Sequence, residues 1–392
     1  MKDFMQKVYF TKDDMCTTLK LEVKRIYDFF VANGWEITTD PVQSDIIISP
    51  SCVGWENLEK KSLERLETMN RLGKTVISLG CINHFNPEDV AKVHSGTCIP
   101  TQNLEQISAL IPNASVKLLD IPEPSTFKNK EDYRLYDLSK RYVNIVTGCS
   151  FSCVYCPHRI GLGRVRSRPV EQILEQIKDL IENGVRIVVL TGMETALYGK
   201  DIGTSYPILL KRVLELDATF DIHVAQFNPI GISKYYDDLL PLFLNERVTD
   251  IQIPIQSKSS RILKLMHRPL ATEKVGEFLR IVKNKNKRVV LRTDIIVAFP
   301  SETEEELKET LCFVSEIFDE VAVYAIEIRK GLPVEKMKEQ AYSLEETQRR
   351  IKFATKFLED KGILAHGGQQ TDEYLIELEK RRIALRKARN SC

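Results

Sequence analysis

The segment YVNIVTGCSFSCVYCPHR, residues 142–159, contains the feature that decides the fold of this chain. A β-prone run, residues 142–146, leads into Cys149, Cys153 and Cys156, which have the spacing C-x3-C-x2-C. Three thiolates in one short loop can hold three irons of a cubane cluster and leave the fourth iron open to a small molecule. The segment therefore predicts a catalytic iron–sulfur site at the end of a strand.

Zinc is the alternative for this loop, because three cysteines and a histidine such as His158 could form a tetrahedral site. The cysteines come directly after a strand and begin a regular series of strands and helices, which favours the cluster. Counting the run before the cysteines, the six β-prone runs are residues 142–146, 186–191, 221–226, 250–255, 289–297 and 320–326. Successive β/α units predict a partial parallel (β/α)6 barrel with its active site at the carboxyl ends of the strands.

The residues before the barrel predict a smaller parallel α/β domain, in which helical patterns separate three β-prone runs, residues 7–10, 45–48 and 75–79. Cys16, Cys52 and Cys81 each follow one of these runs. Because the carboxyl ends of neighbouring parallel strands share one edge, we expect these thiols to converge and to hold a second cluster with an open iron. Buried, inert cysteines are the alternative. His84 and His158 adjoin cysteines of the two sets and are expected either to contact the ligands or to face solvent, rather than to ligate iron.

A polar, proline-containing stretch without a clear period separates the two α/β regions and predicts a linker. After residue 342 the chain becomes charged and helical in pattern and ends in EKRRIALRKARNSC, which is typical of a solvated helix face, with an acidic partner as the alternative. The predicted segments are an N-terminal α/β domain at 1–112, a linker at 113–140, a partial barrel at 141–342 and a helical extension at 343–392.

Composition excludes several classes of protein. The 56 Lys and Arg nearly balance the 55 Asp and Glu, so the bulk charge does not indicate a nucleic-acid partner. No stretch reaches the roughly 18 to 20 apolar residues that cross a membrane, and the first residues lack the apolar segment of a secretory signal. We therefore expect a cytoplasmic enzyme, in which nine cysteines suggest metal ligation, catalysis or burial rather than disulfides.

Several residues remain outside these two sets. Cys312 lies on an amphipathic helical pattern, which predicts a core position, whereas Cys98 and Cys392 are expected to be structural or free thiols. Gln256 and Asp294 are polar residues set against apolar strands. Because unpaired burial is costly, each should have a partner, either in a substrate site or, as we slightly favour, in a structural network.

The C-x3-C-x2-C motif, including the aromatic Tyr155 before its last cysteine, resembles that of the radical SAM superfamily. The resemblance implies that S-adenosylmethionine (SAM) chelates the open iron and that a reduced cluster cleaves it to a 5′-deoxyadenosyl radical. It also implies that Gly192 and Glu194, in TGME, contact the SAM amino group and that Arg168, in RSRP, lies near SAM. A surface salt bridge is the alternative for Arg168. An electron donor such as flavodoxin or ferredoxin would be the redox partner.

The order of the N-terminal cysteines is similar to that in methylthiotransferases, radical SAM enzymes that insert sulfur into a C–H bond and methylate it. Further matching segments are RVRSRP at 164–169, LTGMETALYG at 190–199, IPIQSKSSRILKLMHR at 253–268, TDIIVAFPSETEEE at 293–306 and IRKGLP at 328–333. The chain departs from the family at Lys258, Ala298 and Ser301, where glycine is usual, and at residues 17–19, where Thr-Thr-Leu replaces a polar stretch.

The leading hypothesis is a radical SAM enzyme that uses two 4Fe–4S clusters and SAM to insert sulfur at an unactivated C–H bond. Family members that act on tRNA or on a ribosomal protein end in a small β-barrel, the TRAM domain, whereas residues 343–392 predict helix. With the balanced charge, this favours a peptide or protein substrate, and tRNA stays as an alternative. Two competing hypotheses are a non-catalytic iron–sulfur electron carrier and a radical enzyme whose N-terminal cluster only transfers electrons.

Overall fold

The structure is a computed structural model that describes residues 6–12, 15–111, 114–126, 140–268, 270–367 and 372–390. Two compact units make up the chain. The first comprises Met1–Asn129, Thr147–Ser150 and Cys156–Arg164, and the second comprises Lys130–Val146, Phe151–Tyr155 and Val165–Cys392. Residues 127–139 of the predicted linker lie outside the described residues, and so does Cys392. The predicted domain boundaries therefore stay predictions.

The first unit contains a parallel sheet of five strands in the order β2-β1-β3-β4-β5. Its strands are β1 Lys7–Phe10, β2 Glu36–Ile37, β3 Ile46–Ser51, β4 Thr75–Gly80 and β5 Thr97–Ile99. Its helices are α1 Thr17–Ala32, α2 Glu56–Asn70, α3 Ile82–Phe85, α4 Pro87–Val93 and α5 His158–Leu162. All three strands predicted from the β-prone runs are present.

Burial explains why these segments fold as they do. Every residue of β3 is buried, as expected for a parallel strand covered on both faces. Helix α1 buries Leu19, Ile26, Phe29 and Phe30, which recur at the spacing of one helical face. The helix ends before Gly34, whose positive φ of 80° reverses the chain at a position that favours glycine.

The second unit is built around eight strands in the order β13-β12-β11-β10-β9-β8-β6-β7. Its strands are β6 Lys140–Thr147, β7 Arg166–Ser167, β8 Ile187–Gly192, β9 Asp221–Val224, β10 Val248–Gln252, β11 Val290–Val297, β12 Glu320–Ala325 and β13 Leu364–Gly367. Its helices are α6 Val170–Glu182, α7 Tyr206–Leu214, α8 Ile230–Lys234, α9 Tyr236–Phe243, α10 Ser260–Leu265, α11 Thr272–Lys285, α12 Glu304–Ile317, α13 Leu344–Asp360 and α14 Asp372–Asn390.

This sheet confirms the predicted α/β class and partial barrel, because β6 and β8 to β12 are the six predicted strands and pair in parallel. The C-terminal extension is helical in α13 and α14, but the prediction of helix throughout is wrong at β13. That strand adds to the sheet, with Leu364 in register with Glu320 of β12. Its sequence, LAHG, contains no β-branched residue and no Phe, Tyr or Trp, so the sequence pattern could not distinguish it from a helix.

Helix α12 shows both the strength and the limit of the periodic pattern. Its first turn forms a capping box, in which the Glu306 N–H donates to Thr303 Oγ1 at 3.2 Å and the Thr303 N–H donates to Glu306 Oε2 at 2.9 Å. Leu311 is buried as expected. The prediction that Cys312 lies in the core is wrong: its side chain is exposed, because the neighbouring position is rotated by about 100° around the helix axis.

None of the helices in the described part of the chain is both long enough and apolar enough to span a membrane.

Candidate functional site

The cysteine loop begins at a turn that needs glycine. Gly148 follows β6 with a φ of 73°, and a Cβ at this position would lie 2.1 Å from the carbonyl oxygen of Arg164. The next residue, Cys149, donates its N–H to the Gly163 carbonyl at 3.0 Å. This close approach of two backbone segments turns the chain directly after the strand. Cys149, Cys153 and Cys156 are half-buried, and none of them forms a disulfide.

The middle of the loop is held within the second unit. Val154, between Cys153 and Tyr155, donates its N–H to the Met266 carbonyl at 3.2 Å, and its own carbonyl accepts the Val334 N–H at 3.1 Å. Both backbone polar groups of this residue are therefore satisfied by distant segments. These two hydrogen bonds hold the middle of the loop against the segments that contain Met266 and Val334.

Arg268 approaches the loop from the end of the segment KLMHR. Its Nη1 lies 3.8 Å from Cys153 Sγ, and its Nη2 donates to the Pro254 carbonyl at 2.8 Å. Burial alone would lower the pKa of Arg268, but Tyr155, Cys153 and Glu194 together raise it. A fixed positive charge beside a thiol favours its thiolate, which is the form that ligates iron. The donor set therefore fits a 4Fe–4S cluster.

Glu194, just beyond β8, is a buried carboxylate with one oxygen available to a ligand. It is 4% exposed, and its Oε2 accepts a hydrogen bond from Asn228 Nδ2 at 3.2 Å. Its Oε1 has no hydrogen-bond partner among the described residues. Burial raises the pKa of Glu194 to about 7, although Arg268 and Asn228 oppose the shift. Such an oxygen is suited to a cation, for example an ammonium group.

Gly192 ends β8 and has a structural reason for being glycine. A Cβ there would lie 2.5 Å from the carbonyl oxygen of Val146 on the neighbouring β6. The contact brings the two strands close together near their carboxyl ends. Packing alone therefore requires glycine at this position, and a contact with SAM would be an additional role.

Arg168 is hydrogen-bonded to groups of the barrel. Its Nη1 donates to the Asn144 carbonyl and to Gln176 Oε1, both at 2.8 Å. Its own carbonyl accepts the Tyr198 hydroxyl at 2.7 Å. These bonds tie β6 to α6 and fix the guanidinium near the strand end. The Oδ1 of Asn144 is buried and has no partner in the described part of the chain.

Asp294 and Gln256 give opposite outcomes. Asp294 accepts a hydrogen bond from Gln252 Nε2 at 3.0 Å, as expected for a polar residue against an apolar strand, and burial raises its pKa. Gln256 has a φ of 70°, and its buried Oε1 has no hydrogen-bond partner among the described residues. For the Oε1 of Gln256 the described residues therefore supply no structural network, which leaves a substrate site as the expected source of its partner. A strained residue with an unsatisfied buried acceptor is typical of a ligand site.

The three N-terminal thiols converge in the first unit, where each follows a strand of the parallel sheet. Cys16 hydrogen-bonds to Cys52, which raises the pKa of Cys16 and lowers that of Cys52 to about 6. Burial, reinforced by Cys52, raises the pKa of Cys81 to about 12. Cys52 is 3% exposed and Cys81 1% exposed. The pattern fits a shared ligand site whose thiols must lose protons when metal binds.

The segment after Cys156 packs on this edge of the first unit. A Cβ at Gly161 would lie 2.8 Å from Cys81 Cβ, and Thr101 Oγ1 donates to the Gly161 carbonyl at 2.7 Å. His158 Nδ1 lies 3.2 Å from Cys156 Sγ. Only a residue without a side chain permits this approach, so Gly161 brings the end of one cysteine motif beside the other set.

No three Cys, His, Asp or Glu side chains among the described residues surround one point closely enough to hold a single metal ion. In a cubane each thiolate binds a different iron. Sequence reasoning missed two residues of the site, Arg268 and Asn228. Arg268 lies 115 positions from Cys153, and neither residue carries a periodic or spacing signal.

Comparisons with known proteins agree on one chemistry. Residues 143–314 match the family described as the Radical SAM superfamily. The chain is 30% identical over 315 residues, 78% of this chain and 74% of the relative, to the probable threonylcarbamoyladenosine tRNA methylthiotransferase of Pyrococcus horikoshii. It is 28% identical over 316 residues, 78% of this chain and 73% of the relative, to the ribosomal protein uS12 methylthiotransferase RimO of Thermotoga petrophila.

Among solved structures, the fold resembles that of the radical S-adenosylmethionine methyltransferase TsrM from Kitasatospora setae. The TM-score is 0.62 with 11% sequence identity, covering 84% of this chain and 77% of that chain. At this identity the likeness concerns the fold alone.

Proposed function

This chain belongs to the radical SAM methylthiotransferase family, and on that premise we propose that it inserts sulfur at an unactivated C–H bond by using two 4Fe–4S clusters. Members of the family are enzymes that form carbon–sulfur bonds with a 4Fe–4S cluster and SAM. That makes this chain an enzyme rather than a non-catalytic electron carrier. The observation that carries the two-cluster proposal is the convergence of Cys16, Cys52 and Cys81.

In this proposal Cys149, Cys153 and Cys156 hold the cluster that binds SAM. When bound and reduced by a donor such as flavodoxin or ferredoxin, this cluster supplies the electron that cleaves SAM to a radical able to abstract a substrate hydrogen. Arg268, 3.8 Å from Cys153 Sγ, holds positive charge against the ligand set. The backbone hydrogen bonds of Val154 to Met266 and Val334 would hold the loop in place around the cluster.

SAM would be oriented by the residues at the ends of β6 and β8. Glu194 would accept the SAM ammonium on its unpartnered Oε1, while Asn228 holds the other carboxylate oxygen. Arg168 would lie near the SAM carboxylate, and Gly192 and Tyr155 would line the same end of the barrel. The support for Glu194 is the strongest, because a buried carboxylate oxygen without a partner is costly unless a ligand satisfies it.

Cys16, Cys52 and Cys81 would hold the second cluster, which presents or supplies the sulfur. Anaerobically reconstituted protein should contain about eight irons, and a C16A/C52A/C81A variant should contain about four and still form 5′-deoxyadenosine. A C98A/C312A variant is the control, since both residues are free thiols exposed to solvent. A wild-type content of about four irons would overturn the two-cluster proposal.

For the substrate we infer a peptide or protein side chain rather than tRNA. The methylthiotransferases to which the chain is similar include a tRNA enzyme and a ribosomal-protein enzyme, so homology supports either class. The basic C-terminal helix supports the choice of a peptide or protein substrate. Its Arg382, Arg386 and Arg389 pair with carboxylates of the barrel, so these charges are engaged within the chain rather than offered to the phosphates of a tRNA. The net charge of +1 adds no basic surplus for phosphates.

Mass spectrometry of nucleosides from the bulk tRNA of a deletion strain tests this choice. Unchanged methylthio nucleosides, together with a lost sulfur modification in a peptide or protein, would support the peptide substrate. Loss of a methylthio nucleoside that returns on complementation would overturn it. A C149A/C153A/C156A variant is the matched control, because it removes the proposed radical chemistry and should behave as the deletion does.

A further inference from the structure

His158 contacts one set of cysteines with one ring nitrogen and faces the other set with the opposite edge of the ring. It is the first residue of α5, and its Nδ1 lies 3.2 Å from Cys156 Sγ. A Cβ built on Gly54 would lie 4.0 Å from His158 Nε2 and 3.5 Å from Cys52 Sγ, so both groups border the same small space. All four residues belong to the first unit.

His158 contacts Cys156 directly through Nδ1, whereas its Nε2 borders the space that it shares with Cys52. The two nitrogens have different neighbours, which lets substitutions separate their roles.

The chemistry of an iron ligand determines the direction of the hydrogen bond at Cys156. A cysteine bound to iron is a thiolate and has no proton to donate. Nδ1 of His158 must then carry the hydrogen and donate it, which leaves Nε2 as the acceptor in the neutral ring. Hydrogen bonds to the sulfurs of an iron–sulfur cluster tune its reduction potential, and a donor favours the reduced, more negative state.

We propose that His158 is a positioning residue that links the two cluster sites, donating an N–H bond to the Cys156 thiolate and separating that ligand from Cys52. This rests on the two-cluster function proposed above. The bond makes the SAM-binding cluster easier to reduce, while the opposite edge of the ring borders the space beside Gly54. His158 thus supports the reduction of the SAM-binding cluster without itself transferring the electron.

Redox titration of anaerobically reconstituted protein, followed by electron paramagnetic resonance, tests the proposal. The H158L variant keeps an apolar side chain of moderate size and removes the donor. The equilibrium constant for one-electron reduction of its SAM-binding cluster should be about tenfold lower than in the wild type. The reduction potential should therefore be about 59 mV more negative. The H158N variant places an amide N–H near the position of Nδ1 and should restore most of the potential. The H158Q variant, whose amide lies nearer the position of Nε2, should not.

His84 provides the matched control, because it adjoins Cys81 in α3 and its side chain is exposed. The H84L variant should leave both potentials unchanged. Full iron content in H158L with a wild-type potential would overturn the proposal. If H158L does not load iron, the H158N variant decides the question. A wild-type reduction potential of its SAM-binding cluster supports the hydrogen bond, and a tenfold loss in the equilibrium constant for reduction refutes it. A wild-type content of about four irons would refute the second cluster alone, since the bond to Cys156 is still measured on the first.

Discussion

Arg386, on the last helix, lies 3.6 Å from a carboxylate oxygen of Asp250, a residue of β10 that is 1% exposed. The same carboxylate pairs with Arg292 of β11 at 2.6 Å. Burial by itself would raise the pKa of Asp250, but Arg292 outweighs it and the pKa is lowered. Two arginines from separate elements therefore neutralise one buried carboxylate within the second unit.

The same face of α14 repeats this arrangement. Arg382 pairs with Glu320 at 2.5 Å, and Arg389 pairs with Asp319 at 2.5 Å. Positions 382, 386 and 389 recur at helical spacing, so one stripe of the helix faces acidic residues of the barrel. The sequence predicted that this terminus forms a solvated basic face. For these three arginines that prediction is wrong. An acidic partner for the helix exists, and it belongs to the same chain.

Replacing Arg382 with alanine should destabilise the second unit. Glu320 is held ionised against burial by His366 and Arg382, so removal of the arginine leaves a buried charge with fewer partners. We expect the free energy of unfolding of the apo protein, measured by urea titration, to fall by about 3 to 5 kcal/mol. The R381A variant, whose side chain is exposed on the same helix, should change it by less than about 0.5 kcal/mol. Equal effects of the two variants would contradict the docking of α14 through this pair.

SAM affinity should depend on pH through Glu194. The pKa of Glu194 is about 7 in the free protein, and an ammonium ligand requires the ionised carboxylate. Below that pH each unit of acidification should weaken binding about tenfold, and the dependence should level off above it. Calorimetric titration of reconstituted protein with SAM between pH 5.5 and 7.5 measures this.

The E194Q variant should bind SAM weakly at every pH in that range. The control is E302Q, because Glu302 is also buried with a pKa of about 7 but pairs with Arg350 at 3.2 Å. It should retain the wild-type pH dependence. A wild-type pH dependence in E194Q would show that another group governs SAM binding.

Ionisation of Glu194, which should favour SAM binding, should destabilise the apo protein. Its pKa is raised on folding from 4.5 to about 7, so the folded state binds the proton more tightly than the unfolded state. The stabilisation is fully present below pH 4.5 and is lost as pH rises through about 7. At pH 8 the neutral E194Q side chain should therefore raise the free energy of unfolding by up to about 3 kcal/mol. At pH 5 the difference should largely vanish, and a constant difference at both pH values would argue against this linkage.

Two of the departures from the family's glycines carry measurable strain. Ala298 and Ser301 have φ of 58° and 67°, in the left-handed region that favours glycine. The A298G variant should raise the free energy of unfolding by about 1 kcal/mol, because it relieves the contact between Cβ and the backbone. The A384G variant, at an exposed position of α14, should lower it by about 1 kcal/mol. A loss of stability in A298G would mean that packing of the Ala298 methyl outweighs the strain.

Local patterns in the sequence were sufficient for the six predicted barrel strands, for β1, β3 and β4 of the first unit, and for the first cysteine set. The six barrel strands were predicted because each is a buried run of apolar residues, and Cys149, Cys153 and Cys156 lie within one loop. The convergence of Cys16, Cys52 and Cys81 followed from one rule of parallel sheets, namely that strand ends share an edge. β13 was missed because its sequence, LAHG, contains no β-branched residue and no Phe, Tyr or Trp. Cys312 was misplaced because a single step along a helix changes its face.

By itself, then, the sequence determined the order of strands and helices, the two cysteine sets and the resemblance to a sulfur-inserting family, because these depend on short-range periodicity and spacing. The tertiary structure alone decided which distant side chains meet. It placed Arg268 at Cys153, His158 at Cys156, and Arg386 at Asp250. Such contacts depend on which faces of separate elements pack together. That choice is made by the burial of the whole core and has no local signal at the residues that finally touch.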